Sequence, residues 1–175
     1  MIILLVAAVG MVGLFLLLGV YGGKGGPTET AQPGIAQAGE APWLSRLTLD
    51  GLEKLLHRLF AAMRFEVEQS QVVGNRLEMI VRDPTPISGG RLHVRGVLQT
   101  DSGMVTQDEV QAALDAARGD PSAAKAVVVS PLGFSSEARL AVQSTSCQLV
   151  DQAGLLDLLQ KFLPEALESQ GAGYV

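Results

Sequence analysis

In the stretch GGRLHVRGVLQT, Gly89 to Thr100, the polar side chains Arg91, His93 and Arg95 fall on every second residue. Alternation of this kind lines one face of a β-strand, so the three side chains share their surroundings. A histidine flanked by arginines suits an anion such as phosphate, held by positioning contacts. The preceding segment RLEMIVRD places Glu78 on a face with Arg76 and Arg82, alternating with Leu77, Met79 and Val81. Glu78 reads either as a metal ligand or as one half of an ion pair with a neighbouring arginine. An exposed pair of that kind contributes at most about 1 kcal/mol. A lone histidine on a strand, His93, reads as exposed, and His57, next to Arg58 on a helix, as solvent-facing.

Other chemistries have less support. Cys147 is the only cysteine, which excludes an intrachain disulfide, a cysteine-based zinc site and a CxxC redox motif. No second histidine stands at ligand spacing, so a histidine metal centre is not expected. The serines of GFSS and QSTS have no histidine and acid at recognisable positions, and Ser135 and Ser136 read as the start of a helix. Neither GxxxxGK[ST] nor GxGxxG occurs. A net charge of −5 and a pI near 5.0 give no global attraction to nucleic acid. Binding would use the local patch of Arg76, Arg82, Arg91 and Arg95, whose guanidiniums suit phosphates or the acidic residues of a partner protein. No aromatic side chain is interleaved with them to stack on single-stranded bases.

The elements that carry these residues follow from periodicity. Thr48 caps a helix from about Leu49 to Met63, with Leu52, Leu55, Leu56, Leu59, Phe60 and Met63 at helical spacing. RFEVEQSQV and RLEMIVRD are strands joined at Gly74-Asn75, and Arg91 to Gln99 is a third. Thr106 to Glu109, TQDE, is a capping box for a helix to about Arg118. Ala126 to Val129 is a wholly apolar strand of the kind buried on both faces. A helix from Ser135 to Gln143, a strand from Cys147 to Val150, and a helix from Gln152 to Leu163, capped by Asp151 and ended by Pro164, complete the order αβββαβαβα. That order predicts an α/β fold, a mixed central sheet with helices on both faces.

Hydropathy divides the chain into an anchor over residues 1–22, a flexible linker over 23–42, a domain over 43–164 and a loose tail over 165–175. The run Ile2 to Tyr21 carries no charged side chain and, as a helix, is long enough to span about 30 Å of hydrocarbon. No basic segment precedes it, so it reads as an uncleaved transmembrane anchor and not as a signal peptide. Lys24 places the rest of the chain in the cytoplasm, at an inner or plasma membrane. Residues 2–21 thus meet membrane lipid, and the GxxxG spacing of Gly19 and Gly23 reads first as ordinary glycine usage in a membrane helix and second as a face that packs against another such helix.

The span Ala126 to Leu159, AVVVSPLGFSSEARLAVQSTSCQLVDQAGLLDLL, resembles the Mrr-type branch of the restriction-endonuclease-like fold, within the PD-(D/E)xK superfamily. The likeness lies in Gly133, Phe134, Glu137, Ala138, Arg139, Leu149, Val150, Asp151 and Leu155, with Leu52-Glu53 on the opening helix, and covers roughly residues 46–163. The resemblance implies an acidic residue on the second strand, then Glu or Gln, one residue, and Lys on the third, which hold a divalent cation and position a nucleophile. Glu78 stands at the first position. The third strand offers His93-Val94-Arg95 or Arg95-Gly96-Val97 at the second, and neither register has a carboxylate or a lysine. Lys54, Lys125 and Lys161, the domain's lysines, fall on other elements.

The leading expectation is therefore a membrane-anchored, catalytically inactive endonuclease-like domain. It would need no cofactor and would act as a binding or scaffold module, an accessory subunit beside a membrane-protein partner. The alternative is a membrane-tethered DNA-binding protein or Mg²⁺-dependent endonuclease, with Glu53 and Glu78 as ligands and Arg95 in place of lysine. Arginine holds its proton too firmly for general-base work, which leaves only charge stabilisation.

Overall fold

A computed structural model describes residues 41–169 and 174, apart from 87–88, 99, 101–102 and 121–122. The expected anchor over residues 1–22 and nearly all of the linker lie outside the described residues. Among the described residues, no helix is long and apolar enough to cross a membrane.

A 3-10 turn, Pro42–Arg46, leads into α1, Leu49–Ala62. Thr48 caps α1 as its sequence position predicts, its hydroxyl accepting from Gly51 N at 3.0 Å. Three antiparallel strands follow, β1 Glu66–Val73, β2 Arg76–Arg82 and β3 Arg91–Val97. The chain then forms α2 (Gln107–Gly119), β4 (Ala123–Val129), α3 (Ser136–Ala141), β5 (Cys147–Val150), α4 (Gln152–Phe162) and α5 (Pro164–Glu168). The sheet runs in the order β1-β2-β3-β4-β5, and β4 joins β3 and β5 in parallel. The predicted mixed α/β architecture is borne out.

Side-chain alternation gives the sheet two different faces. On one, the fully buried Leu52, Leu55, Leu56 and Leu59 of α1 meet Leu77, Met79 and Val81 of β2, Val94 of β3, and Leu155 and Leu159 of α4. On the other, Val110, Ala113 and Leu114 of α2, with Phe134 and Ala138, cover Val97, Ala126 and Val128. This second cluster covers the β4 side of the face. Toward β1, the same face carries the even-numbered residues of β2 and the odd-numbered residues of β3.

Three local expectations are corrected. TQDE does not close as a capping box, because Thr106 makes no side-chain cap bond and Glu109 turns instead to Arg76, 2.6 Å away. Strand β4 begins at Ala123, not Ala126, since parallel pairing with Arg91 and Leu92 continues the ladder past the apolar run. Pro164 ends α4 but also opens α5 at its first position, where its missing N–H costs nothing. The tail accordingly carries helix to Glu168, and Tyr174 is buried.

Candidate functional site

Glu78 lies directly across the β2–β3 ladder from Arg95, and Ile80 across from His93. His93, Arg95 and Glu78 therefore share one face, and Gly96 points to the other, where a Cβ would come within 2.7 Å of Leu52 Cδ2. Register thus brackets Glu78 with the His93-Val94-Arg95 triplet. Arg95 Nε donates to Glu78 Oε1 at 2.6 Å, and Arg95 Nη1 donates to the Glu109 carbonyl of α2 at 3.2 Å. His93 Nδ1 faces Glu78 Oε2 at 3.7 Å, too far for a hydrogen bond.

Burial separates this group from the exposed pair expected of it. The side chains of Arg95, His93 and Glu78 are 8%, 13% and 14% exposed. The reason is α2, which stands over β3 and places Ala116 beside the group. Together with Gln69 and Gln71 of β1, these residues line a cavity of about 240 Å³. Among the described residues, the buried Glu78 Oε2 and His93 Nδ1 have no hydrogen-bond partner there.

Glu53 is elsewhere. Its Oε1 accepts from Ser70 Oγ at 2.5 Å, and Ser70 pairs with Met79, whose side chain is in the α1 core. Adjacent residues Glu78 and Met79 point to opposite faces, so the sheet stands between Glu53 and Glu78. His57 Nε2, 4.0 Å from Glu53 Oε1, is on the same far side and exposed.

Each candidate binding arginine has a carboxylate of its own. Arg76 meets Glu109 at 2.6 Å; Arg82 meets Glu66, and Glu68 at 3.3 Å. Arg91 meets Glu68 at 2.7 Å and Asp120 at 3.8 Å, and Arg95 meets Glu78. The local basic patch is thus neutralised within the fold. Sequence reasoning did not find Glu68, Glu109, Asp120, Gln69 or Gln71 as members of this group. Their alternation marks Gln69 and Gln71 as strand residues, but nothing local brings α2 and the α2–β4 connection to the same place.

The residues that carry the Mrr-type resemblance do structural work. Ser135 caps α3, accepting from Ala138 N at 3.1 Å. Arg139 reaches Asp151 Oδ2 at 3.0 Å and lies 5.9 Å from the centroid of Phe134. Asp151 Oδ1 accepts from Gly154 N, also at 3.0 Å, and caps α4. Burial pushes the Asp151 carboxyl up, but the Gly154 and Ala153 amides and Arg139 together hold it below its ordinary value. Burial pushes the Cys147 thiol up to about 11, so it is a poor nucleophile near neutrality.

A divalent cation fits this donor set badly. Mg²⁺ wants oxygen ligands in an octahedron, whereas one Glu78 oxygen is occupied by a guanidinium whose positive charge would lie beside the ion. Among the described residues, no three His, Cys, Asp or Glu side chains form a metal-holding group.

A search of curated protein sequences gives no match. Two solved structures are similar over 71% of the chain: the DNA modification-dependent restriction endonuclease AspBHI, at 13% identity and a TM-score of 0.49, and the MspJI restriction endonuclease in complex with a 27-mer oligonucleotide, at 15% and 0.42. The chain spans 35% and 32% of the length of those proteins. The Mrr_cat family model, described as restriction endonuclease, matches residues 44–159. With that match over most of its length, the chain belongs to the Mrr_cat restriction endonuclease family.

Proposed function

We propose that this domain keeps the endonuclease frame without hydrolysing DNA, and serves as a binding or scaffold module. Residues 2–21 would hold it at a membrane, as an accessory subunit beside a membrane-protein partner. The observation that carries the non-catalytic reading is the Arg95 guanidinium, 2.6 Å from Glu78 in a nearly buried pair. A hydrolytic site of this family's kind needs a free carboxylate pair for the cation and a lysine near the nucleophile. Here Glu78 is already neutralised by that guanidinium, and arginine cannot act as a base.

The test uses the full chain in detergent micelles, incubated with duplex and single-stranded DNA plus Mg²⁺ or Mn²⁺. No cutting is expected under either metal. Metal-dependent cutting that Glu78→Ala abolishes would overturn the reading in favour of a nuclease. Binding without cutting that weakens steeply with salt would replace the scaffold with a nucleic-acid module. Recovery of a discrete membrane-protein complex with the chain supports the accessory role.

A further inference from the structure

Strand β1, Glu66–Val73, is eight residues long and forms one edge of the sheet, with no strand on its outer side among the described residues. The backbone N–H and C=O groups along such an edge are a template for another strand. Folded proteins blunt that template with charge, a bulge, proline or a short strand. The opposite edge, β5, is only four residues long. In β1 the first half alone is blunted: Glu66 and Glu68 carry charge, and the register with β2 shifts between Val67 and Gln69.

The second half, Gln69–Val73, pairs regularly with β2 and contains no charge and no proline. Val72 and Val73 are 47% and 55% exposed there, although valine gains most where a neighbouring strand covers it. Gln69, Gln71 and Val73 pair with Ile80, Glu78 and Arg76, and so lie on the polar face. Ser70 and Val72 pair with Met79 and Leu77, on the α1 face.

These five residues are complementary to themselves. In an antiparallel pairing about a two-fold axis at Gln71, Gln69 of one copy meets Val73 of the other, Ser70 meets Val72, and Gln71 meets Gln71. Each pair joins like faces, as a continuous sheet demands, and the bulge falls outside the pairing. Glu68 comes opposite Gly74, and the acidic first half of each strand runs toward the turn and Arg76 of the other. No carboxylate then opposes a carboxylate, whereas parallel pairing would set Glu66 and Glu68 beside their own copies. A two-fold contact also closes on itself, while β1 added to β5 of a next copy would continue as an open filament.

We propose that β1 is an interface with a second copy of this chain, paired antiparallel over Gln69–Val73 about Gln71. The two five-stranded sheets join as one. Gln71 lines the cavity beside Glu78, so the polar faces of both copies meet at the axis and the second copy's Gln71 extends the rim of the cavity. This pairing requires neither the membrane anchor nor the loss of hydrolysis.

Sedimentation of the full chain in detergent is expected to show a monomer–dimer equilibrium. Val72→Lys combined with Val73→Lys changes two exposed side chains, and should raise the midpoint concentration about tenfold or more with far-UV circular dichroism unchanged. Disulfide trapping in a Cys147→Ser background reads the register. A residue on the axis meets its own copy within the roughly 4.4–6.8 Å Cα separation that a disulfide needs. The two copies of Gln69 stand about 14 Å apart, at ~3.4 Å per residue. Gln71→Cys should therefore crosslink under mild oxidation, and Gln69→Cys should not. A chain still monomeric at about 1 mM would overturn the proposal, as would a dimer that the lysines leave unchanged or equal trapping at positions 69 and 71. Hydrogen-exchange protection of every β1 amide in the dilute monomer would overturn it too, because another segment of the same chain would then cover the edge.

Discussion

Replacing Arg95 by methionine keeps most of the side-chain length and removes the charge. Among the described residues Glu78 Oε2 has no hydrogen-bond partner, so the substitution leaves the buried carboxylate unbonded, with only the His93 ring nearby, 3.7 Å from Oε2. Breaking a buried pair in this way costs about 3–5 kcal/mol. The small residual exposure of Arg95 and Glu78, 8% and 14%, lets water relieve part of that, so Arg95→Met is expected to cost about 2–4 kcal/mol. Glu78→Leu combined with Arg95→Met replaces the pair by apolar groups of similar size and should fall within about 1 kcal/mol of wild type. The coupling between the two sites is then about 2 kcal/mol or more. Urea denaturation at pH 7 measures it. With m near 1–3 kcal/mol/M, the single variant moves the midpoint by about 0.7 M or more. The coupling should survive in about 1 M NaCl, because a buried pair is screened far less than an exposed one. A cost below about 1 kcal/mol for Arg95→Met, or a double variant as unstable as the sum of the singles, would refute the claim that the guanidinium is the carboxylate's built-in counter-ion.

Two further outcomes are expected. Gly96→Ala puts a methyl within 2.7 Å of Leu52 Cδ2 and 3.2 Å of Leu77 Cβ, an overpacking that costs about 1–3 kcal/mol; a neutral result in urea denaturation would mean that α1 can move off the sheet. Asp151 titrates below its ordinary value in the folded state, so its contribution is complete above the unfolded pKa near 3.9 and is lost as pH falls through the lower folded value. Asp151→Asn keeps a capping side chain but loses the charged bond to Arg139. Its deficit, at most about 1 kcal/mol at pH 7 for so exposed a pair, should shrink toward zero as the pH falls through the lowered folded value, and a deficit constant with pH would contradict this account.

Where a residue's environment is set by its own element, the sequence could be read directly. The leucine spacing of α1 predicts its buried face, and Leu52, Leu55, Leu56 and Leu59 are all 0–1% exposed. The alternation of β2 likewise separates Leu77, Met79 and Val81 from Arg76, Glu78 and Arg82. The pairing of Glu78 with an arginine was also legible, since both arginine and glutamate alternate onto one face. Its burial was not, because it depends on α2 lying over β3, and α2 shows only its own amphipathic spacing. His93 was read as exposed for the same reason. Glu109 was misassigned because a capping glutamate and an ion-pair glutamate have the same local sequence. Tyr174 follows a polar, glycine-containing tail, and only its tertiary contact with Trp43 shows that it is buried.

The two faces of β2 are also under different constraints. Its odd-numbered residues meet α1 and α4, so a polar replacement there would break the main core. Its even-numbered residues Arg76, Glu78 and Arg82 lie on the polar face, where the constraint is charge balance. A carboxylate on that face requires a cation, and a guanidinium from the neighbouring strand can supply it as well as a metal ion can. Arg76 follows the same rule with Glu109, and Arg91 with Glu68 and Asp120. Once every charge has an internal partner, the face needs neither metal nor phosphate to be stable. Any ligand for it must then displace an existing ion pair or bind at the rim, where Gln69 and Gln71 offer uncharged donors and acceptors.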